Sequence, residues 1–479
     1  MNLTYVAREF LKSLLEQDSR IINLRNSLSQ YRNGFYVELS LQRLKDEIGK
    51  WCLDKGYPMK PRELDEICTY IRSITLLSQS AGWNQMIGEE GADRKTMLSL
   101  KGSLIDLDKF VKGATDFIVT KNSEYLSAYC LPVEHQSSAT CPTWLKFLDE
   151  MLPGDVQKVL QEFFGYILWP GRNDFNAFTI LYGDGANGKS VVLAALKALI
   201  GDGNYTALSI ENFNSERTFP LAATYGKLAN ICEDMEELHK VQEGLIKNYI
   251  SPGSVITVER KNRDPFEMKP TAKLIFATNF LPRFSDRSDG VWRRLIVLPF
   301  KKQILDRSKQ RPELATIQFW QQSGELSGLL NWSLDGLARL TSQKTFSESE
   351  DLQRVKSAFA LECNPAKLWL FDNFEIGTPD PNLTIREVYG LYRSEMNSIE
   401  RNPIGIGTFN KEVIRTFPSV QKTEHAKQMP DGSRDRLWLG LKRKPLMANS
   451  LNLVVVPTNT GTLEVPLFSE HEEARVRLK

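Results

Sequence analysis

The sequence predicts an α/β fold whose core combines buried strands with apolar helices. Residues 177–182 form a continuous apolar run of the length expected for a strand that is buried on both faces. A glycine-rich turn follows at once, and residues 191–200 then form an apolar helical segment that ends at Gly201. Three further apolar runs are predicted as core strands; they lie at residues 227–232, 273–279 and 295–300.

Composition places the chain among ordinary globular proteins. Its 479 residues are enough for about three domains. Hydrophobic residues make up 41% and charged residues 25%. No apolar run approaches the roughly 18 residues of a membrane span, and residues 1–30 lack the uninterrupted apolar segment of a secretory signal. We therefore expect no membrane association.

Charge and cysteine content narrow the expected partners and compartment. The net charge is only +2, so contact with nucleic acid has to come from local basic patches. The six cysteines include no C-x-x-C pair, and the four histidines lie far apart. We therefore expect neither disulfides nor a zinc site, which fits a reducing cytoplasm.

Two regions precede the core. Residues 1–95 are predicted as an N-terminal helical domain, because apolar residues recur there at helical spacing. Residues 96–171 are predicted as a hairpin, at residues 98–107, followed by a collar of two helices. Asp106 and Asp108 are interpreted as the solvated end of that hairpin, because no further carboxylate nearby would complete a two-metal site.

The turn after the first core strand carries the clearest chemical signal. It matches G-x-x-x-x-G-K-[ST] at every fixed position, in the strand–turn–helix context that this motif requires. Glycines at these positions would allow backbone N–H groups to wrap an anion. The lysine would add a cation for the β and γ phosphates, and the serine hydroxyl would bind magnesium. The predicted ATP and Mg²⁺ site comprises Gly183, Asp184, Gly185, Ala186, Asn187, Gly188, Lys189 and Ser190.

Polar residues end the next two core strands. Glu233 and Asp234 follow residues 227–232, where one carboxylate could hold magnesium through water while the other orients the attacking water. Either carboxylate could take either of these two roles. Asn279 ends the strand at residues 273–279, where its amide could contact the γ phosphate or the attacking water.

Two basic features complete the core, which is predicted to span residues 172–302. Residues 255–268 alternate as a hairpin with Arg260, Lys261 and Arg263 near its tip, although basic tips are often only solvated. Arg293 and Arg294 precede the last strand. An arginine supplied to a phosphoryl transition state raises the rate of hydrolysis by orders of magnitude. The alternative is that the two arginines are only solvated surface residues without a catalytic role.

These elements, in this order, resemble the superfamily 3 helicases of DNA viruses, phages and plasmids. More closely, residues 98–440 are similar to the helicase half of phage and plasmid primase-helicases, a group that includes the poxvirus primase-helicase. The resemblance rests on residues 101–107, Gly165-Tyr166, 187–190, 271–279 and 292–295.

The resemblance implies an AAA+-type core in a ring, expected to be a homo-hexamer, that hydrolyses ATP between subunits and translocates on single-stranded DNA, usually 3′ to 5′. It implies that Lys261 and Arg263 hold the DNA backbone. It makes Arg294, with Arg293 second, the finger that acts on the neighbouring subunit. Two departures stand out: residues before 90 do not resemble the primase catalytic domain, and the strand before Glu233 contains Asn230 and Cys232.

The remaining chain is predicted in three parts. Residues 303–365 continue as helix, and residues 366–445 resemble a small winged-helix domain. A basic cluster near the end of that domain could hold duplex DNA or keep the domain soluble; it comprises Arg434, Arg436, Lys442, Arg443 and Lys444. Residues 446–479 are predicted as a loosely ordered tail.

We therefore expect an ATP-driven replicative DNA helicase of a phage, plasmid or integrated mobile element, acting on single-stranded and forked DNA with a primase or initiation protein as partner. An initiator or loader that binds origin DNA and unwinds little is the alternative, favoured by the basic C-terminal domain. A P-loop switch or kinase unrelated to DNA is the third hypothesis; it predicts a monomer with a small-molecule acceptor site.

Overall fold

The computed structural model forms two compact units, Met1–Ser349 and Glu350–Lys479. The residues that it describes are 2–78, 81–88, 96–213, 218–233, 235, 243–261, 263–280, 282, 284, 289–378, 383–399, 402–428, 432–444, 453–458 and 461–466. Within these ranges no helix is both long and apolar enough to cross a membrane.

The N-terminal region mixes helices with a small antiparallel sheet. Its elements are α1 (Leu3–Leu15), β1 (Ile21–Leu24), β2 (Ser27–Arg32), β3 (Phe35–Glu38), α2 (Leu41–Asp54) and α3 (Pro61–Ile74). The prediction of an all-helical region is wrong for residues 21–38. Two-residue turns at Arg25-Asn26 and Asn33-Gly34 join the three strands, and all four residues have positive φ. Asn-Gly between alternating residues is a strong hairpin signal that the helical interpretation passed over.

The next segment agrees with the predicted hairpin and helical collar. Its elements are β4 (Met97–Ser99), β5 (Leu104–Asp106), α4 (Leu107–Val111), β6 (Ile118–Val119), α5 (Pro142–Met151) and α6 (Gly154–Ile167). Asp106 caps α4 by accepting a hydrogen bond from the Lys109 amide (3.0 Å), and Asp108 accepts one from the Thr96 amide (2.9 Å). Both aspartates are thus bound to backbone donors, and the interpretation as a solvated hairpin end is wrong for Asp106, which is only 4% exposed.

A five-stranded parallel sheet forms the core of the first unit and confirms the α/β prediction. The elements of this core are β7 (Phe178–Tyr182), α7 (Lys189–Ile200), β8 (Tyr205–Thr206), β9 (Ala229–Cys232), α8 (Glu243–Ile250), β10 (Ile256–Arg260), β11 (Arg263–Met268), β12 (Lys273–Thr278), α9 (Asp289–Trp292) and β13 (Leu295–Pro299). The strand order is β13-β7-β12-β9-β8. Because all five strands run the same way, their carboxyl ends share one edge.

Two helices follow the sheet, α10 (Ile317–Gln322) and α11 (Leu326–Gln343). Helix α11 packs closely on α6, where a Cβ on Gly165 would lie 2.5 Å from both the Leu337 nitrogen and the Ser333 oxygen. The fully buried carboxylate of Glu162 joins the same two helices by accepting a hydrogen bond from Arg339 Nε (2.7 Å). The collar is therefore fixed to the segment after the core.

The second unit contains helices and short antiparallel pairs. Its elements are α12 (Glu350–Glu362), α13 (Pro365–Asn373), β14 (Phe374–Ile376), α14 (Ile385–Ser398), α15 (Ile406–Thr416), β15 (Gln421–Lys422), β16 (Lys427–Gln428), β17 (Arg434–Asp435), β18 (Trp438–Leu439), β19 (Leu441–Arg443), β20 (Leu453–Thr458) and β21 (Gly461–Pro466). Buried Tyr392 and Phe409 stack at 4.6 Å between α14 and α15. The loose tail predicted for residues 446–479 is wrong where β20 and β21 pair.

Candidate functional site

The glycine-rich loop joins β7 to α7 at the carboxyl edge of the sheet. Gly188 precedes the helix with φ +88°, and a Cβ there would lie 2.8 Å from the Phe147 ring. A Cβ on Gly183 would lie 2.4 Å from the Phe300 carbonyl oxygen. Gly185 is different: the left-handed conformation belongs to Ala186 (φ +58°), and a Cβ on Gly185 would meet nothing within 4 Å. The prediction that Gly185 is needed for its backbone angles is wrong.

The segment after β13 supports the loop from outside. Asn187 Nδ2 donates to the Phe300 carbonyl (3.1 Å), the Ile304 amide donates to the Ala186 carbonyl (3.0 Å), and Gln303 Nε2 donates to the Gly185 carbonyl (3.2 Å). Sequence reasoning missed Phe300, Gln303 and Ile304, because only the pairing of β13 with β7 brings them beside the loop.

Lys189 occupies the centre of the loop and is 7% exposed. Its ammonium donates to the Gly183 carbonyl, the Asp184 carbonyl (3.0 Å), Asn187 Oδ1 (3.1 Å) and Asn279 Oδ1 (3.0 Å). Asn279 directly follows β12, the strand next to β7. The structure therefore brings together Lys189 and Asn279, which are 90 positions apart.

The proposed magnesium ligands are not brought together in the same way. Ser190 is exposed in the first turn of α7. Glu233, directly after β9, forms an ion pair with Lys197, and its side chain is 53% exposed. Lys197 lies seven residues beyond Ser190, or about 10 Å along a helix. Asp234 lies outside the described residues.

The arginine pair lies at the opposite edge of the sheet, just before β13. Arg294 Nε donates to Asn176 Oδ1 (2.9 Å), and its Nη1 donates to the Gly290 carbonyl (2.6 Å). Burial and the neighbouring charge of Arg293 lower the pKa of Arg294. Arg293 itself is exposed, and within the described ranges no residue pairs with it. Arg294 is thus held within its own chain, whereas Arg293 faces outward.

The predicted basic hairpin is confirmed as β10 paired with β11, with Arg260 opposite Arg263. Lys261 is exposed in the turn. The Arg260 guanidinium packs on the Phe266 ring at 4.6 Å. The backbone of Arg263 belongs to β11, but its side chain lies outside the described part of the structure.

Comparison with protein families matches part of the chain to DUF5906, which is described as a family of unknown function. It covers residues 181–294, from the end of β7 to the arginine pair. This span is less than half of the chain.

Among curated proteins, the chain is similar to one of Acanthamoeba polyphaga mimivirus whose name describes it as a candidate helicase. The two are 28% identical over 173 residues, which cover 34% of this chain. The match covers only 18% of the length of the viral protein.

Among solved structures, the chain is similar to the apo C-terminal region of NrS-1. Two structures of this region superpose with TM-scores of 0.49 and 0.45, at 11% and 12% identity; each superposition covers 90% of this chain and 98% of the other. TM-scores of this size do not establish a common fold.

Proposed function

We propose that this chain is an ATP-dependent replicative DNA helicase with an AAA+-type core of superfamily 3, encoded by a phage, plasmid or integrated mobile element. The observation that carries the proposal is the contact between Lys189 and Asn279. A lysine of a phosphate-binding loop and an amide from the neighbouring strand meet where the γ phosphate of a nucleotide would lie.

The loop fits a nucleotide triphosphate. The Lys189 ammonium now contacts backbone and amide oxygens, which phosphate oxygens could replace. Helix α7 starts at the loop, so its N-terminal partial charge favours the same anion. Asn279 would then face the γ phosphate and stabilise the charge that develops there.

Magnesium would be held by Ser190 with help from an acidic side chain. Glu233 can supply that help only after its ion pair with Lys197 opens. Asp234 is the other candidate, as the sequence indicates. Bound magnesium would neutralise charge on the β and γ phosphates during transfer.

The arginine geometry favours assembly into a ring, which we propose to be hexameric. Strand β13 separates the arginine pair from the loop edge, and its five residues span roughly 16 Å. An arginine from the amino edge therefore cannot serve the loop of its own chain. Exposed Arg293 is the better candidate for the finger, with Arg294 holding the turn in position.

The hairpin is the proposed contact with single-stranded DNA. Exposed Lys261 at its tip would bind a backbone phosphate, and Arg260 and Arg263 would add to it. The mimivirus relative is named as a candidate helicase, which supports a role in contacting DNA. A primase or an initiation protein is the expected partner.

An initiator that binds origin duplex is the second candidate, and helix α15 favours it. Lys411 and Arg415 are exposed on one face of α15, one turn apart. That face could enter a major groove if residues 366–445 act as a winged-helix domain. The predicted basic cluster contributes less, because Lys442 pairs with Glu375 (3.2 Å) and Lys444 donates to the Phe371 carbonyl (2.6 Å).

The test measures ATP hydrolysis with and without single-stranded DNA, together with strand displacement from a forked duplex. We expect DNA to stimulate hydrolysis and ATP to drive displacement. Tight binding to origin duplex without displacement would favour the initiator. Hydrolysis that ignores DNA in a monomeric protein would favour the switch or kinase hypothesis.

A further inference from the structure

Two arginines from different parts of the first unit pack against the same pair of aromatic rings. The Arg25 guanidinium lies 5.8 Å from the Tyr225 ring centroid and 6.0 Å from that of Phe266. Arg260 lies 5.8 Å and 4.6 Å from the same two centroids. The rings contact each other edge to face at 5.3 Å. Arg25 belongs to the β1–β2 turn and Arg260 to the β10–β11 hairpin, so this cluster joins the N-terminal sheet to the proposed DNA-binding hairpin.

The cluster contains donors that the described part of the chain does not satisfy. Arg25 Nε and the Tyr225 hydroxyl are both buried without a hydrogen-bond partner. Among the described residues no carboxylate pairs with Arg25, which is partly exposed. Burial raises the pKa of Tyr225, while Arg25 and Arg260 act to lower it. Buried polar atoms are nearly always hydrogen-bonded, so unsatisfied donors next to two cations indicate an anion.

The backbone at Arg25 is a second, independent observation. Arg25 and Asn26 form a two-residue turn with φ of +51° and +61°. Glycine and asparagine favour such a turn, whereas arginine at its first central position is disfavoured. A side chain kept at a conformational cost is often there for a function.

Aromatic packing fixes the cluster in place. Tyr36 of β3 contacts Trp83 (6.2 Å between centroids), and Trp83 contacts Tyr225 (6.3 Å). The ring of Tyr225 is therefore held between the N-terminal sheet and Phe266 of the hairpin. Rigid support of this kind holds both guanidinium groups against the same two rings before any ligand binds.

We infer that Arg25 and Arg260 together bind one phosphate of the single-stranded DNA that the hairpin holds. This inference rests on the proposed function. Each guanidinium offers a planar fork of N–H donors that matches phosphate oxygens. The N-terminal region thereby contributes directly to the DNA site, and the strand passes from the exposed tip at Lys261 toward the β1–β2 turn.

The main test is Arg25→Asn, measured by fluorescence anisotropy with a labelled oligothymidine of roughly 20 nucleotides at several salt concentrations. Asparagine suits the positive φ, so the thermal midpoint should stay equal or rise while the charge is lost. We expect affinity to fall about 5- to 10-fold and the slope of log K against log salt to decrease by about 0.7. Arg25→Lys, which keeps the charge, should retain most of the slope.

The control is Arg62→Ala, which removes an exposed cation from the first turn of α3 and should bind DNA like the wild type. Equal binding by Arg25→Asn and this control would overturn the inference, and the proposed function would stand if Lys261→Ala still weakened binding. Absence of DNA binding by the wild type would overturn both.

The double variant Arg25→Asn/Arg260→Ala should lose less affinity than the product of the two single effects, because both residues contact one phosphate. Independent effects would contradict a shared site.

Discussion

The two ends of the parallel strands differ in how many of their polar side chains find partners within one chain. At the carboxyl edge, Lys189 contacts four oxygen acceptors, and Asn187 joins the loop to Phe300. At the amino edge, Arg294 is bonded to Asn176 and Gly290, but Arg293 beside it is exposed. One chain thus builds most of the proposed phosphate site and leaves Arg293 exposed, too far away to serve the loop of its own chain.

This difference explains why a ring is the simplest assembly for the proposed function. A finger supplied by a neighbour couples hydrolysis to the subunit interface, so hydrolysis at one subunit is sensed by the next. A variant at the carboxyl edge should therefore lose hydrolysis at the loop of its own subunit. A variant at the amino edge should instead lose hydrolysis at the loop of the neighbouring subunit.

The largest effect is expected from Lys189→Ala at the carboxyl edge. Removing the cation from the β and γ phosphates should lower kcat for ATP hydrolysis by about 10³-fold or more. Steady-state hydrolysis measures this directly. Lys158→Ala, which removes an exposed lysine from α6, is the control and should keep wild-type turnover. Retained hydrolysis in Lys189→Ala would contradict the role of the loop.

Arg293→Ala tests the amino edge and should lower kcat by about 10³-fold while nucleotide binding is kept. Mixing this variant with Lys189→Ala subunits should restore part of the activity, because an intact arginine then meets an intact loop across an interface. No recovery at any ratio would argue for a finger that acts within its own chain.

The variant Arg294→Ala is the comparison for Arg293→Ala. It removes the bonds to Asn176 and Gly290, so its thermal midpoint should fall, which Arg293→Ala should not cause. If Arg294→Ala instead kept its stability and lost only hydrolysis, Arg294 would be the finger, as the family resemblance implies.

A smaller effect concerns Lys273, which begins β12 at the amino edge. Its ammonium donates to the Thr271 carbonyl (3.0 Å) and lies 4.7 Å from the Tyr166 ring. Complete burial lowers its pKa to about 7, although Asp174 acts to raise it. Between pH 7 and about pH 10.5, Lys273 is therefore more protonated in the unfolded chain than in the folded chain. The free energy of unfolding should rise with pH across this range.

Denaturant unfolding should detect this change, about 2 kcal/mol between pH 7 and pH 9 for the wild type. Lys273→Met should flatten the profile, since methionine fills a similar volume without a titrating group. An equally steep rise in the variant would assign the effect to another residue.

The smallest effect is expected from a pair of glycines in the loop. A Cβ on Gly183 would clash with Asn187 and with the Phe300 carbonyl, so Gly183→Ala should cost roughly 1–2 kcal/mol of unfolding free energy. Gly185→Ala meets nothing within 4 Å and should fold with wild-type stability. Equal unfolding midpoints for Gly183→Ala and Gly185→Ala would mean that the contacts between the loop and the segment after β13 contribute little to stability.

Local signals explain what could be predicted. The β7 strand, the loop and α7 are contiguous, so apolar periodicity and the glycine spacing specify them together. The same is true of the β10–β11 hairpin and of the α5–α6 pair. The error at residues 21–38 came from weighing apolar spacing above the Asn33-Gly34 turn, which ranks among the strongest short-range hairpin signals.

The sequence by itself determined the glycine-rich loop, the strands that carry polar residues at their ends and the basic hairpin, because each depends on neighbours within a few positions. The tertiary structure alone decided that β12 lies beside β7 and brings Asn279 to Lys189, that Phe300 supports the loop, and that the arginine pair faces the opposite edge. It also decided that Arg25 joins Arg260 on shared rings. Strand order depends on packing free energy summed over the whole sheet, so no short stretch of sequence encodes it.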